Sequence, residues 1–252
     1  MNGTELAGRT ALVTGGARGI GRAICVRLAE EGARIALNYA SNEGAARDAQ
    51  HLVEAAGGEC QLLKADASDP GAVAAMIEQA EGTLGPIDLL VTNAGIAEVG
   101  THEQIDFATW RRVMAVNLDG TYLPIMAVKD GMIARGFGRI VCLASIAALR
   151  PRPTMLAYGT SKAAVIAFAR SCSEALAPLI RINCIAPGLI DTDMPAASLD
   201  EATRQRMIEA TPLKRIGRPE DIAELALFLL SERSSFITGQ TYVADGGRVT
   251  LP

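Results

Sequence analysis

Thr10-Ala11-Leu12-Val13-Thr14 runs directly into Gly15-Gly16-Ala17-Arg18-Gly19-Ile20-Gly21. The first five residues form a short apolar run stopped by glycine, the pattern of a buried parallel strand. Beyond the glycines, Ile20, Ala23, Ile24 and Leu28 recur at helical spacing. The stretch therefore reads as strand, glycine-rich turn and helix. Glycine closes the turn tightly and lets backbone approach a pyrophosphate, while the helix N-terminus favours negative charge. A purely structural turn would use the same glycines. The strand before and the helix after make dinucleotide binding the stronger reading, through Gly15, Arg18, Gly19, Ile20 and Gly21.

Downstream, Arg34 to Asn38 reads as a second strand. In NAD-type units an acidic residue about 20 positions after the glycines holds the ribose 2′-hydroxyl. The window here is Asn38-Tyr39-Ala40-Ser41-Asn42, without an acid, and Glu43 starts the next helix. Arg18 sits in the glycine loop, where its cation can meet a 2′-phosphate. Together these features favour NADP(H) over NAD(H), with Asn38, Tyr39, Ala40 and Ser41 around the ribose. A merely solvated Arg18 is the alternative.

The alternation continues along the chain. A helix over 43–56 stops at Gly57-Gly58, and a strand runs from Cys60 to Lys64. Asp66-Ala67 follows, where Asp66 either reaches an adenine edge or serves the turn. Asp69-Pro70 opens a helix over 72–82, and the strand Asp88–Thr92 ends in the tight loop Asn93-Ala94-Gly95. A long helical region is expected over 107–134, bent at Pro124. Asn117 lies on its apolar stripe with Trp110, Val113 and Met114, and a buried amide there needs partners. Then come a strand over 138–145 ending at Ser145, a helix over 158–177, and a strand over 181–185 closed by Pro187-Gly188. The segment Leu189–Arg215 reads as a mobile lid with one helix, in which Met194, Leu199, Met207 and Ile208 form an apolar wall or simply pack the helix. A helix over 220–230 and a strand over 241–244 complete the chain. The whole pattern predicts one α/β domain over 1–252: a doubly wound, Rossmann-like fold of about seven mostly parallel strands with helices on both faces.

Composition narrows the function. The 252 residues are 49% hydrophobic with a net charge of −4, so there is no basic footprint for nucleic acid. No basic and apolar leader opens the chain, and no apolar run reaches the ~20 residues a bilayer requires. The expected protein is soluble and cytoplasmic. Cys25, Cys60, Cys142, Cys172 and Cys184 are widely spaced, which predicts buried free thiols. With only His51 and His102 besides, no metal site is expected.

Tyr158-Gly159-Thr160-Ser161-Lys162 carries the chemistry. Residues four apart share a helix face, so phenol and ammonium can converge. A phenol with a pKa of about 10 is a slow proton exchanger at neutral pH, and a neighbouring cation is expected to lower it. The pair then makes a general acid/base.

In these motifs, with Asn93-Ala94-Gly95, Asn117, Ser145 and Pro187-Gly188 in order and at matching spacing, the chain from about Gly8 to Gly247 resembles the short-chain dehydrogenase/reductase family. The spacing T-G-x-x-x-G-x-G sets it apart from the T-G-x-x-G-x-x-G of the extended epimerases and dehydratases. The resemblance implies that Tyr158 exchanges the proton with the substrate oxygen and that Lys162 lowers its pKa and binds the nicotinamide ribose. It implies that Ser145 holds the carbonyl oxygen, and that Asn117 bends its helix and holds a relay water. Asp66, Asn93, Gly95, Pro187, Gly188, Ile190 and Thr192 match cofactor-contact positions, with Ala67 and Ala94 beside them. A homotetramer through the helices near 107–134 and 158–177 is implied by analogy. Ile185-Ala186-Pro187-Gly188, Asp191-Thr192-Asp193-Met194 and Ile237-Thr238-Gly239-Gln240 look most like 3-oxoacyl-acyl-carrier-protein reductases.

Two departures touch carrier docking. Where those reductases have a basic residue ahead of the serine strand, this chain has Gly136, with Arg135 adjacent. Where they have a second, it runs Ala177-Pro178-Leu179-Ile180, without a cation. The expected activity is thus NADPH-dependent reduction of a small carbonyl or an acyl thioester, with an acyl carrier protein as a candidate partner. The alternatives are an alcohol or sugar dehydrogenase working oxidatively and a non-catalytic NADP(H)-binding sensor.

Overall fold

The computed structural model describes residues 5–192 and 200–249. Asp193, Met194 and Leu199, singled out above, lie outside them. The apolar run before the glycines is strand β1 (Thr10–Val13), buried at every residue. It lies inside a seven-stranded sheet with β2 (Arg34–Tyr39), β3 (Cys60–Lys64), β4 (Ile87–Thr92), β5 (Gly138–Leu143), β6 (Ile180–Pro187) and β7 (Thr241–Ala244). The order is β3-β2-β1-β4-β5-β6-β7, and every pair is parallel. The chain winds outward from β1 to β3, then returns to the other side of β1 with β4. The carboxyl ends of β1 and β4 therefore flank the switch point, where such sheets open a crevice for ligands.

Side chains alternate across a strand, so both faces of the sheet are apolar. Ala11, Val13, Ile35, Leu37, Leu89 and Val91 pack one core against helices α1 (Gly19–Glu30), α2 (Glu43–Ala55) and α8 (Pro219–Leu230). Leu12, Ala36, Leu90, Ile140 and Ile182 pack the other against α3 (Pro70–Leu84), α5 (Gly120–Arg135) and α6 (Leu156–Leu176). Helix starts follow local chemistry. The Asn42 side chain accepts from Ala45 N at 3.0 Å to cap α2, and Asp69 accepts from Ala72 N at 2.6 Å with Pro70 in the first turn of α3. Helix α7 (Glu201–Glu209), within the segment expected as a lid, is capped in the same way by Asp200. Among the described residues no helix is long and apolar enough to cross a membrane.

The long helix expected over 107–134 is interrupted. Helix α4 (Phe107–Met114) passes into a wider π-helical turn, Ala115–Asp119, before α5 begins. Asn117 sits within that turn, fully buried. One extra residue per turn rotates the following face, and such bulges recur at functional sites. Pro124 lies inside α5, where it removes one backbone donor.

Candidate active site

The glycine loop joins β1 to α1, and its backbone explains its composition. Gly15 and Gly19 have φ of 63° and 51°, a region costly for side chains with a Cβ. A Cβ on Gly21 would strike the Gly15 carbonyl and approach Asn93 Nδ2 to 2.6 Å. Two asparagines brace the loop. Asn38 Oδ1 accepts from Gly15 N at 3.3 Å, and the Asn38 carbonyl accepts from Gly16 N at 2.8 Å. Asn93 Nδ2 donates to the carbonyls of Thr14 and Gly15, each at 3.0 Å. Thr14 Oγ1 in turn accepts from the N–H groups of Asn93 and Ala94.

The residues fit a dinucleotide. Arg18 is the N-cap of α1 but its side chain does not cap it, so the first-turn N–H groups keep their capacity for an anion. Thr192 packs against this cradle, its Cγ2 3.0 Å from where a Cβ on Gly19 would stand. Gly95 needs its small size too: a Cβ there would lie 3.4 Å from Lys162 Nζ and 3.2 Å from Asn117 Oδ1.

The second-strand expectation needs correcting. Asn38 is buried, and beyond its two contacts to the loop its Nδ2 donates to the Leu63 and Ala65 carbonyls. Its amide is fully engaged by backbone, so it braces the cradle and does not read a ribose. Tyr39 is buried in the core. Of the four residues expected around the ribose, only Ala40 and Ser41 are exposed. Asp66 is exposed, and its Oδ1 accepts from Ser68 N and Ser68 Oγ, a turn clasp; Ala67 beside it is buried.

Ser145 follows β5, and its Oγ accepts from Ala147 N at 3.1 Å, capping a single helical turn. Tyr158 opens α6 facing it. Burial raises the phenol pKa, partly offset by the Ser145 hydroxyl. This corrects the expectation that Lys162 lowers it. The Lys162 Nζ is 6.0 Å from the Tyr158 ring centroid and donates to the Leu143 carbonyl at 2.7 Å. The shared helix face is real, but the ammonium turns to the sheet. Burial brings its own pKa down to about 8.

Asn117 ties three segments together at this point. It exchanges hydrogen bonds with the Ile96 backbone in both directions, and its Nδ2 donates to Ser161 Oγ at 2.9 Å. Ser161 Oγ then donates to the Tyr158 carbonyl. The amide therefore fixes the loop after β4 to the first turn of α6. Residue spacing alone does not reveal Ser161, Thr14 or the bracing role of Asn38, because Thr14 and Asn38 act on backbone atoms of a distant segment and Ser161 on the side chain of the distant Asn117. Thr92, Cys142 and Cys184 also escape it, aligned across β4, β5 and β6 beneath Lys162.

Pro187 ends β6, and Gly188 N donates to the Ala244 carbonyl at 2.9 Å. A Cβ on Gly188 would stand 2.6 Å from Asp245 Cβ. Ile190 is buried and bridges to Gly217. Glycine loop, Asn93–Gly95, Ser145, Tyr158, Lys162 and Pro187–Thr192 thus gather at the carboxyl edge of the sheet. Of the docking positions, Gly136 ends α5 with φ of 69°, a left-handed cap that favours glycine. Arg135 is engaged by the Ile87 carbonyl at 2.6 Å and by Asp88.

Comparisons with known proteins agree with this geometry. The family model described as enoyl-(acyl carrier protein) reductase matches residues 15–248. A 3-oxoacyl-(acyl-carrier-protein) reductase of Chlamydia trachomatis is 38% identical, covering 96% of this chain and 98% of its own. Glucose 1-dehydrogenase 2 of Bacillus subtilis is 33% identical over 98% and 97% of the two chains. The crystal structure of levodione reductase superposes with a TM-score of 0.93 at 32% identity, over 96% and 98%. Matches of such length, to proteins that share the sheet as well as the sequence, leave one assignment: this chain is an oxidoreductase of the short-chain dehydrogenase/reductase family, close to the 3-oxoacyl-acyl-carrier-protein reductases.

Proposed function

We propose that the protein reduces a carbonyl to a hydroxyl with NADPH. The observation that carries this reading is the Ser145–Tyr158 pair with Lys162 behind it, on the sheet edge that also bears the glycine loop. A bound nicotinamide would supply the hydride. The chain's own residues manage charge and proton. Ser145 Oγ donates to the carbonyl oxygen as negative charge builds there. Tyr158 gives that oxygen its proton. A phenol whose pKa is raised by burial stays protonated at neutral pH and serves as an acid, which suits reduction. Lys162, with a pKa of about 8, is the ionisable neighbour through which the phenol regains a proton.

Three features support the phosphate-bearing cofactor: exposed Arg18, the acid-free exposed pair Ala40 and Ser41, and no carboxylate partner for Arg18 among the described residues. A free carbonyl substrate fits better than a carrier-bound one, since Gly136 bears no cation and Arg135 is held by β4. The glucose dehydrogenase relative supports a second reading, oxidation of an alcohol or sugar by the same residues. The test is steady-state oxidation of NADPH against NADH, with an acetoacetyl thioester and a small activated ketone. Tyr158→Phe should bind the cofactor normally and lose turnover by about 10²–10⁴-fold. Activity retained in that variant would refute the role of Tyr158.

A further inference from the structure

Four serines and threonines lie on α6, and each bonds back to a carbonyl of its own helix. Thr160 Oγ1 donates to Leu156 O at 2.8 Å, Ser161 Oγ to Tyr158 O at 2.8 Å, Ser171 Oγ to Ala167 O at 3.2 Å and Ser173 Oγ to Arg170 O at 2.7 Å. Such back-bonds are a local habit of hydroxyl side chains in helices. Ser161 does more. It is fully buried, and its oxygen also accepts from Asn117 Nδ2 at 2.9 Å. Of the four hydroxyls it alone, among the described residues, bonds to another element.

The Asn117 amide has no hydrogen to spare. Its Oδ1 accepts from Ile96 N at 2.8 Å, and its Nδ2 divides its two hydrogens between Ile96 O, at 3.0 Å, and Ser161. The turn it stands on is braced as well, since Thr121 Oγ1 donates to Asn117 O at 2.9 Å. Ile96 follows Gly95, where a Cβ would stand 3.2 Å from Asn117 Oδ1. A continuous line of hydrogen bonds therefore runs from the loop after β4, through Asn117 and the Ser161 hydroxyl, to the backbone of the residue that bears the phenol.

The two ends of that line serve different halves of the reaction. The loop after β4 adjoins the glycine turn through Asn93. The Tyr158 phenol faces the Ser145 hydroxyl. Carbonyl reduction needs a hydride at carbon and a proton at oxygen of one molecule, so the cofactor side and the acid side must keep one spacing. An error of about 1 Å in such an alignment costs on the order of a hundredfold in rate. The Ser161 hydroxyl bonds to neither the phenol nor the Lys162 ammonium, so it acts through the backbone it holds.

We propose that Ser161 is a positioning residue: its hydroxyl couples the cofactor-side loop to the turn of α6 that carries Tyr158, and so sets the acid against the hydride donor. This role depends on the carbonyl-reductase reading for what is aligned, whereas the bridge stands on its own distances.

Two alanine variants separate the bridge from the back-bond. Ser161→Ala removes both hydrogen bonds, and Ser173→Ala removes the same kind of back-bond from the same helix. With NADPH and an activated ketone, kcat of Ser161→Ala should fall about 10–100-fold. Its dissociation constant for NADPH, read from nucleotide fluorescence, should stay within about twofold of wild type. Ser173→Ala should keep kcat within about twofold. A second readout needs no turnover. The Tyr158 phenol is titrated as the difference in ultraviolet absorbance between each protein and the same protein carrying Tyr158→Phe. Burial holds its pKa up, so a released turn should let it fall toward ~10 in Ser161→Ala and not in Ser173→Ala. Unchanged kcat in Ser161→Ala, an equal loss in Ser173→Ala, or an unmoved phenol overturns the positioning role. If wild type turns over no carbonyl while the phenol titration still depends on Ser161, the bridge stands and the reductase reading fails.

Discussion

Lys162 is 4% exposed and holds its ammonium against the Leu143 carbonyl. Burial favours its neutral form, so its folded pKa of about 8 lies below the ordinary lysine value of about 10.4. Between those two values the unfolded chain binds the extra proton. The stability that Lys162 contributes is therefore present above the unfolded pKa and lost as pH falls through about 8. Thermal unfolding of wild type and Lys162→Met should diverge across this window. Relative to the variant, wild type should gain on the order of 1–3 kcal/mol from neutral pH to pH of about 10. A difference independent of pH would mean that Lys162 is not desolvated. At the cofactor end, Ala40 is exposed just past a buried Tyr39. Ala40→Asp places a carboxylate where the 2′-phosphate is proposed to lie. The ratio of kcat/KM for NADPH over NADH should fall about tenfold or more, without change in the unfolding midpoint. Tyr39→Asp is a poor probe of the same idea, because it would put a charge into the core.

Elements depend on partners that their own sequences do not contain. The last turn of α8 ends in carbonyls that helix geometry leaves unsatisfied. Arg181, from the start of β6, supplies them: its Nη1 donates to Leu229 O at 3.1 Å and to Ser234 Oγ at 3.0 Å, and its Nη2 donates to Ser231 O at 2.8 Å. The residue is buried, and burial brings its pKa down to about 10, so it remains charged at neutral pH. A cation at a helix C-terminus also meets the favourable end of the dipole. Arg181→Met keeps the bulk and removes the donors, leaving the Leu229 and Ser231 carbonyls to share the Ser234 hydroxyl. It should cost about 2–5 kcal/mol, read as a lower denaturant midpoint with an unchanged slope. The π-helical turn at Asn117 follows the same principle. The amide finds its partners on the loop after β4 and on α6, and the helix widens to let it reach them. Gly136 shows the reverse case, in which a left-handed helix end favours glycine.

At the scale of the whole molecule, two apolar cores on the two faces of one sheet hold the chain without covalent help. All five cysteines are free and four of them are buried. Cys142 and Cys184 lie side by side on β5 and β6, and the hydrogen bond between them, then burial, pushes Cys184 up, so it stays a thiol. The denaturant midpoint should accordingly be the same with and without reductant; a drop on reduction would reveal a cross-link. The strands, the helices on both faces and the glycine turn were legible in the chain, because burial in a parallel sheet demands continuous apolar runs and a tight turn demands glycine. So were Asn117, Ser145, Tyr158 and Lys162, whose spacing is a property of the chain. What Asn38, Tyr39 and Lys162 do with their side chains was not. Each choice depends on which carbonyl or core another segment brings within about 3 Å, a matter of register between strands distant in sequence.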